Sequence, residues 1–321
     1  MTAPAVSVCG VVLAAGEGQR LRPLTAAVPK ALCPVGNLPL LDHALRRLAG
    51  LGLSEPDQIA VNAAYLADQV VTHVGTRAHL SVEPDGPLGT SGGVGRLKSW
   101  IDGRGVLVGN ADAYLVDPAR KPGEDIAALL DGWDGETVRI LTKPCFPGVT
   151  GGFSGHRFAG FSLLPWRYVR DLDDKPENLV RTVWRPAEAE GALELIGYQG
   201  FYLDTGTPAD YLAANLHAAG ATDPALSTPN AFSTGRDLIA ALPPHPGASS
   251  PGSSSVGSSS AGLIDATAVV NGRAIGSVVG AGARVDGQVT HSVVWPGAVV
   301  EADESLTRVV RARDGLTIPV P

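Results

Sequence analysis

Residues 11 to 34 read VVLAAGEGQRLRPLTAAVPKALCP. The small residues Ala14, Ala15, Gly16 and Gly18 follow an apolar run, and the cations Arg20, Arg22 and Lys30 come after them at spaced positions. Glycines let backbone N–H groups approach anionic oxygens without interference from a Cβ. The cations supply a countercharge that amides alone lack. The chemistry indicated is phosphate binding at the end of a strand. A dinucleotide fingerprint would need a third glycine where Leu21 stands, and the Gly-Lys-Ser/Thr of a P-loop occurs nowhere in the chain. The competing reading is an ordinary glycine turn with solvated arginines.

Three further stretches could do chemistry. Asp112 follows the apolar run Gly105 to Asn110, and an aspartate at the carboxyl end of a central parallel strand lies where open α/β sheets bind ligands. It is a candidate metal ligand, with an aspartate capping a turn as the alternative. Asp204 closes the apolar run 194 to 203, and Thr207-Pro208 just after it place an N-cap and a first-turn proline at a helix start. Gly89-Thr90-Ser91-Gly92-Gly93 matches the Gly-x-Ser-x-Gly elbow of serine hydrolases, for which Asp204 and His217 could formally complete a triad. That elbow needs a strand running straight into the serine, and Pro84, Gly86 and Pro87 interrupt it.

The stretch LAAGEGQRLRPLT, followed by Pro29-Lys30, closely resembles the signature of the sugar-1-phosphate nucleotidyltransferases. It looks most like the mannose-1-phosphate guanylyltransferase and N-acetylmuramate-1-phosphate uridylyltransferase branches. The resemblance implies that Leu13, Ala14, Ala15, Gly16, Gly18 and Arg20 hold the nucleotide, Arg20 at the departing phosphates, and that Leu88, Gly89, Thr90 and Ser91 face the base. It implies Lys30, Lys143, Gly160 and Asp204 on the sugar phosphate, Asp112 and Asp204 on Mg2+, and Arg20, Lys30 and Asp112 as catalytic groups. The chain departs from the family pattern in two places. It has Asn110-Ala111-Asp112 for Asn-Gly-Asp, and Lys143-Pro144 has no glutamate before it where the family has Glu-Lys-Pro. The implied substrates are a nucleoside triphosphate and a sugar 1-phosphate, with a mannose-1-phosphate guanylyltransferase-like activity expected. The alternatives are a uridylyltransferase for an amino-sugar 1-phosphate, a transferase for a cyclitol phosphate and a non-catalytic nucleotide-sugar sensor.

The elements that must position these residues follow from hydrophobic periodicity. Strands are predicted at 6–13, 58–63, 80–83, 105–110, 137–142 and 194–203, and helices at 37–48, 65–74, in the run after residue 88 and at 125–133; the resemblance to the uridylyltransferase branch implies a further strand at 156–161 and a helix at 165–172 after it. Their alternation predicts an α/β, Rossmann-like, mostly parallel sheet with helices on both faces. Residues 1–222 are expected to form the catalytic domain, and the Pro-, Gly- and Ser-rich stretch 223–262 a linker with a short helix at 236–241. Val279, Val285, Val294, Val300 and Leu306 are six apart except for one nine-residue step. This rhythm predicts a short left-handed parallel β-helix over 263–321, of about two coils, docking on the first domain or on another subunit as a homo-oligomer contact.

The 321 residues are 44% hydrophobic, enough for a core, and the net charge of −7 argues against nucleic acid or an anionic membrane as partner. Neither a charged-then-apolar leader nor an apolar run of membrane-spanning length is found, so a cytoplasmic protein is expected. Cys9, Cys33 and Cys145 form no Cys-x-x-Cys pair and read as reduced thiols.

Overall fold

A computed structural model describes residues 7–146, 148, 151–221 and 262–320. The linker expected at 223–262, but for Gly262, and its short helix lie outside the described residues. The chain divides into two compact units, one of Met1–Gln19, Thr25–Cys33 and Leu40–Asp204, the other of Arg20–Leu24, Pro34–Pro39 and Thr205–Pro321.

The first unit is built on strand β1 (Val8–Leu13), whose four central residues are all buried. The second unit's two-residue strands β2 (Pro34–Val35) and β3 (Leu38–Pro39) form a small antiparallel hairpin. In the first unit follow helix α1 (Leu40–Gly50), β4 (Ile59–Ala63), α2 (Ala67–Val74), β5 (His79–Val82), α3 (Gly89–Arg96), α4 (Lys98–Ile101), β6 (Gly105–Asn110) and β7 (Ala113–Val116). After them come β8 (Val138–Pro144), β9 (His156–Leu164), α5 (Trp166–Val169), α6 (Arg185–Ala189), β10 (Leu193–Gly197) and β11 (Phe201–Asp204). Seven strands form one sheet in the order β10-β8-β9-β6-β1-β4-β5, parallel except at β9, which runs antiparallel to both β6 and β8.

The pleat of β1 distributes its side chains to two cores. Val12 packs with Leu41, Leu45 and Leu48 of α1 and Val70 and Val74 of α2. Cys9 and Val11 pack with Val94 of α3, Ile101 of α4 and Ala187 of α6. Helices therefore cover both faces, as a parallel sheet requires. No helix among the described residues is long and apolar enough to cross a membrane.

Several elements differ from the pattern-based expectation. The run 194–203 is not one strand. β10 ends at Gly197 in the large sheet, and Phe201–Asp204 pairs antiparallel with β7 in a separate ribbon. Gly200 marks the break, because a Cβ there would lie 2.5 Å from the Val116 carbonyl oxygen. Residues 125–133 form only a single 3-10 turn at Ala127–Leu129. Asp125 is held by an ion pair with Arg47, and Gly132 at φ +60 ends the turn. The helix expected at 165–172 is four residues long, and α1 starts at Leu40 because Asn37 turns the chain at φ +64.

In the second unit, helix α7 (Pro208–Ala218) starts on Thr207, whose hydroxyl accepts the Asp210 N–H. The β-helix follows. Leu263, Val278 and Val293 stack in parallel register, as do Val269 and Val270 with Arg284 and Val285 and then Val299 and Val300, giving three coils rather than about two. Each of these steps spans fifteen residues, shorter than three hexapeptides, so more coils fit the same length. The first stacked face closes on the antiparallel strand Thr317–Pro319. The coils pack against α7 of the same unit: Trp295 Nε1 donates to the Tyr211 hydroxyl at 3.0 Å, and Asn37 Nδ2 donates to the Val279 carbonyl at 3.0 Å.

Candidate functional site

The ribbon of β7 and β11 assembles the acidic part of the site. Asp204 is in register with Ala113, which places it beside Asp112 although 92 residues separate the two in sequence. Lys30 is carried there from the signature stretch on a short 3-10 turn, Lys30–Leu32. Its Nζ donates to Asp112 Oδ2 at 2.7 Å and lies 3.5 Å from Asp204 Oδ1. The Lys30 side chain is 9% exposed, whereas Asp112 and Asp204 are 36% and 48% exposed. A buried ammonium beneath two half-open carboxylates is a charge junction facing solvent on its acidic side.

Gly18 closes on this junction. At φ +62 a Cβ would lie 2.9 Å from Lys30 Cβ and 3.0 Å from Thr25 Cγ2, so only glycine allows the loop to pass there. The buried Thr25 hydroxyl donates to the Gly18 carbonyl at 2.8 Å and fixes that turn. Gly16 is different: it is exposed, and a Cβ there would touch nothing within 4 Å, so internal packing gives no reason for its glycine.

A buried relay links this loop to the second glycine element. Ala14 N–H donates to Asn62 Oδ1 at 2.7 Å, Asn62 Nδ2 donates to Glu83 Oε1 at 2.7 Å, and Leu88 N–H donates to Glu83 Oε2 at 2.8 Å. Gly93 gives the relay room, since a Cβ would lie 2.6 Å from Asn62 Nδ2. Motif reading missed Asn62 and Glu83. The available signal was a polar residue near the carboxyl end of each of two neighbouring strands, Asn62 inside β4 and Glu83 just past β5.

Gly89 stands at the first turn of α3 at φ +71, where a Cβ would lie 2.5 Å from the Glu177 carbonyl oxygen. Thr90 Oγ1 accepts the Leu179 N–H at 2.9 Å, and Ser91 Oγ accepts the Thr182 hydroxyl at 2.9 Å. Ser91 is 2% exposed, on a helix rather than at a strand end, and the Ser91 hydroxyl's partner is Thr182. That arrangement does not fit a nucleophile elbow, and His217, the triad's formal base, is buried, which pushes its pKa down to about 4.

Lys143 and Gly160 lie on β8 and β9. Gly160, at φ +86, lets β9 pass β7, because a Cβ would lie 2.5 Å from the Ala113 Cβ. Lys143 Nζ donates to the Gly200 carbonyl at 2.9 Å, and burial together with nearby Arg157 holds its pKa below the usual lysine value. Arg20 belongs to the second unit, where its guanidinium packs on Gly206, whose Cβ would lie 2.7 Å from Arg20 Nη2. Cys9 and Cys33 are buried, and desolvation pushes their thiols up to about 11 and about 12, which suits packing and not nucleophilic chemistry.

The donor set fits a hard divalent cation. Two carboxylates reach the same ammonium nitrogen, and no cluster of three or more His, Cys, Asp or Glu occurs among the described residues. Mg2+ is commonly held in this way, by one or two carboxylates with the remaining sphere from phosphate oxygens and water.

Residues 9–117 match the nucleotidyl transferase family model. The chain is 37% identical over 219 residues to the N-acetylmuramate alpha-1-phosphate uridylyltransferase of Neisseria meningitidis, covering 61% of this chain and 92% of that protein. It is 26% identical over 249 residues to the mannose-1-phosphate guanyltransferase of Kluyveromyces lactis, covering 67% of each. A crystal structure of a Bacillus anthracis protein assigned as a glucose-1-phosphate thymidylyltransferase shares the fold, with a TM-score of 0.53 at 18% identity, over 65% of this chain and 94% of that one. With the signature loop, the paired aspartates and a relative matched over nearly its whole length, the chain belongs to the nucleotidyl transferase family, among the sugar-1-phosphate nucleotidyltransferases.

Proposed function

We propose that the protein catalyses Mg2+-dependent attack of a sugar 1-phosphate on the α-phosphorus of a nucleoside triphosphate, giving a nucleoside-diphosphate sugar and pyrophosphate. The observation that carries this reading is the contact of Lys30 with both Asp112 and Asp204, with Lys30 packed under Gly18 of the signature loop. Both reactants are anions, so the barrier is their repulsion and the charge gathering on the leaving pyrophosphate. Positioning and neutralisation lower it. A phosphate monoester is already ionised near neutral pH, so no general base is required, and none of these three side chains is one of the usual histidine bases.

The roles follow from chemistry. Amides around Ala15, Gly16 and Gly18 cradle the triphosphate beside Leu13 and Ala14, and Arg20 binds the phosphates that depart. Lys30 is a compact charge for the α-phosphate and the attacking phosphate. Asp112 and Asp204 would hold Mg2+, which when bound neutralises phosphate charge. Leu88 to Ser91 face the base, their backbone fixed by Glu83 and by Glu177, and the Thr90 and Ser91 hydroxyls by Leu179 and Thr182. Lys143 and Gly160 belong to the sugar side.

For the finer activity, uridylyl transfer to an acidic amino-sugar 1-phosphate is favoured by the 37% identity running over 92% of the uridylyltransferase relative. Guanylyl transfer to mannose 1-phosphate is the second reading, favoured by the C-terminal β-helix. A matrix of five triphosphates against sugar 1-phosphates, read by pyrophosphate release with Mg2+, tests both. One pair is expected to dominate, and release that does not depend on any sugar 1-phosphate contradicts the proposal.

A further inference from the structure

On β8 and β9, Lys143 and Arg157 stand directly opposite each other in antiparallel register. Side chains so placed share a face and are close neighbours, and like charges in that position repel. Neither cation has an acidic partner among the described residues. Lys143 donates only to the Gly200 carbonyl. The Arg157 guanidinium is stacked instead between two rings, 4.5 Å from the Phe146 centroid and 4.9 Å from that of Tyr202, and its Nε is buried without an acceptor. Stacking on both faces leaves the guanidinium only its edge for hydrogen bonds, and that edge is the part that matches an oxyanion.

The location ties this cation pair to the chemistry. Tyr202 and Asp204 alternate on β11 and so share one face of the ribbon. Arg157 is therefore one ring away from the carboxylate pair, on the side where Gly160 brings β9 against β7. Structural duty does not account for the arrangement. A stability role would pair the arginine with a carboxylate, whereas among the described residues its contacts are the two rings.

We propose that Arg157, with Lys143 opposite it and Tyr202 and Phe146 as its stacking walls, is an oxyanion seat for the acceptor substrate. The ligand chemistry is a phosphate or carboxylate oxygen pair on the sugar 1-phosphate, and the inference rests on the transferase reading above. Its source is either the 1-phosphate common to all acceptors or a carboxylate carried by the sugar.

The test is Arg157→Gln, with Arg157→Lys as the conservative variant, in steady-state pyrophosphate release with neutral and carboxylate-bearing sugar 1-phosphates. Arg157→Gln is expected to raise KM for the sugar 1-phosphate about tenfold to a hundredfold, the range for a lost hydrogen bond to a charged group. KM for the triphosphate and the melting temperature are expected to stay put, and Arg157→Lys to recover part of the loss. A rise for every acceptor assigns the seat to the 1-phosphate, and a rise confined to acidic sugars assigns it to the carboxylate. An unchanged KM for every acceptor overturns the seat. Calorimetric titration of the full chain with the same sugar 1-phosphates separates this from the transferase reading. If the wild type binds them and Arg157→Gln binds them at least tenfold more weakly while no triphosphate yields pyrophosphate, the seat stands and the reaction falls. Equal binding by both proteins overturns the seat whatever the turnover.

Discussion

At the residue scale, the groups proposed to handle phosphate stand out in the sequence because phosphate chemistry dictates residue type. Gly16, Gly18, Lys30 and Asp112 could be picked out from spacing alone, and the structure gathers Lys30, Asp112 and Asp204 at one point. The Asn62–Glu83 relay was not legible, since a lone asparagine in a strand and a lone glutamate just past one give no motif. Its meaning appears only when parallel pairing brings Asn62 level with Leu13 and Ser81. The relay makes a firm prediction. In Asn62→Leu the Glu83 Oε1 atom and the Ala14 N–H lose their partners in the interior, at a cost of about 1–3 kcal/mol for each stranded group. Urea unfolding is expected to show a loss of roughly 2 kcal/mol or more. KM is expected to rise for the triphosphate and not for the sugar 1-phosphate. An unaltered triphosphate KM would mean that the relay braces the core without shaping the nucleotide loop.

At the element scale, the alternation of strand and helix was readable because burial on two faces leaves near-continuous apolar runs. The split of 194–203 was not, because Gly197 and Gly200 look like tolerated strand glycines until β7 claims the second half. That split matters most for function, as it carries Asp204 from the large sheet to Asp112. Helix pairing is equally tertiary. Asp42 of α1 receives His73 Nε2 and Arg77 Nη1 of and just beyond α2, each at 2.9 Å. Burial raises the Asp42 pKa, but His73 and Arg77 outweigh it and hold it at about 2, against an ordinary 3.8. A depressed folded-state pKa contributes stability above the unfolded value and loses it as pH falls through the folded value. The window is thus from about pH 4 down to about pH 2, with roughly 2 kcal/mol at stake. Asp42→Asn should be less stable than the wild type near neutrality and equal to it near the bottom of that window, as measured by urea unfolding across the pH series. A gap between the two proteins that persists undiminished at the acid end would show that the aspartate acts there by packing and not by charge.

At the scale of the whole molecule, the β-helix shows how a correct period can be misread. The steps of six and nine residues between Val279, Val285 and Val294 are one fifteen-residue coil, and the same pair of steps recurs in the stacked register. Counting only the sixes gave too few coils. The place where the coils rest, on Tyr211 and the Asn37 turn, depends on surfaces that sequence periodicity does not rank. The first unit, by contrast, holds a buried lysine beneath two carboxylates, and this lysine is proposed to neutralise phosphate during nucleotidyl transfer. Pyrophosphate release by Lys30→Ala, measured against wild type on the best pair of triphosphate and sugar 1-phosphate, tests it most directly. A fall in kcat of about 10²- to 10³-fold is expected, as for loss of a single electrostatic donor, in a protein that still unfolds cooperatively. Turnover within a fewfold of wild type would contradict it.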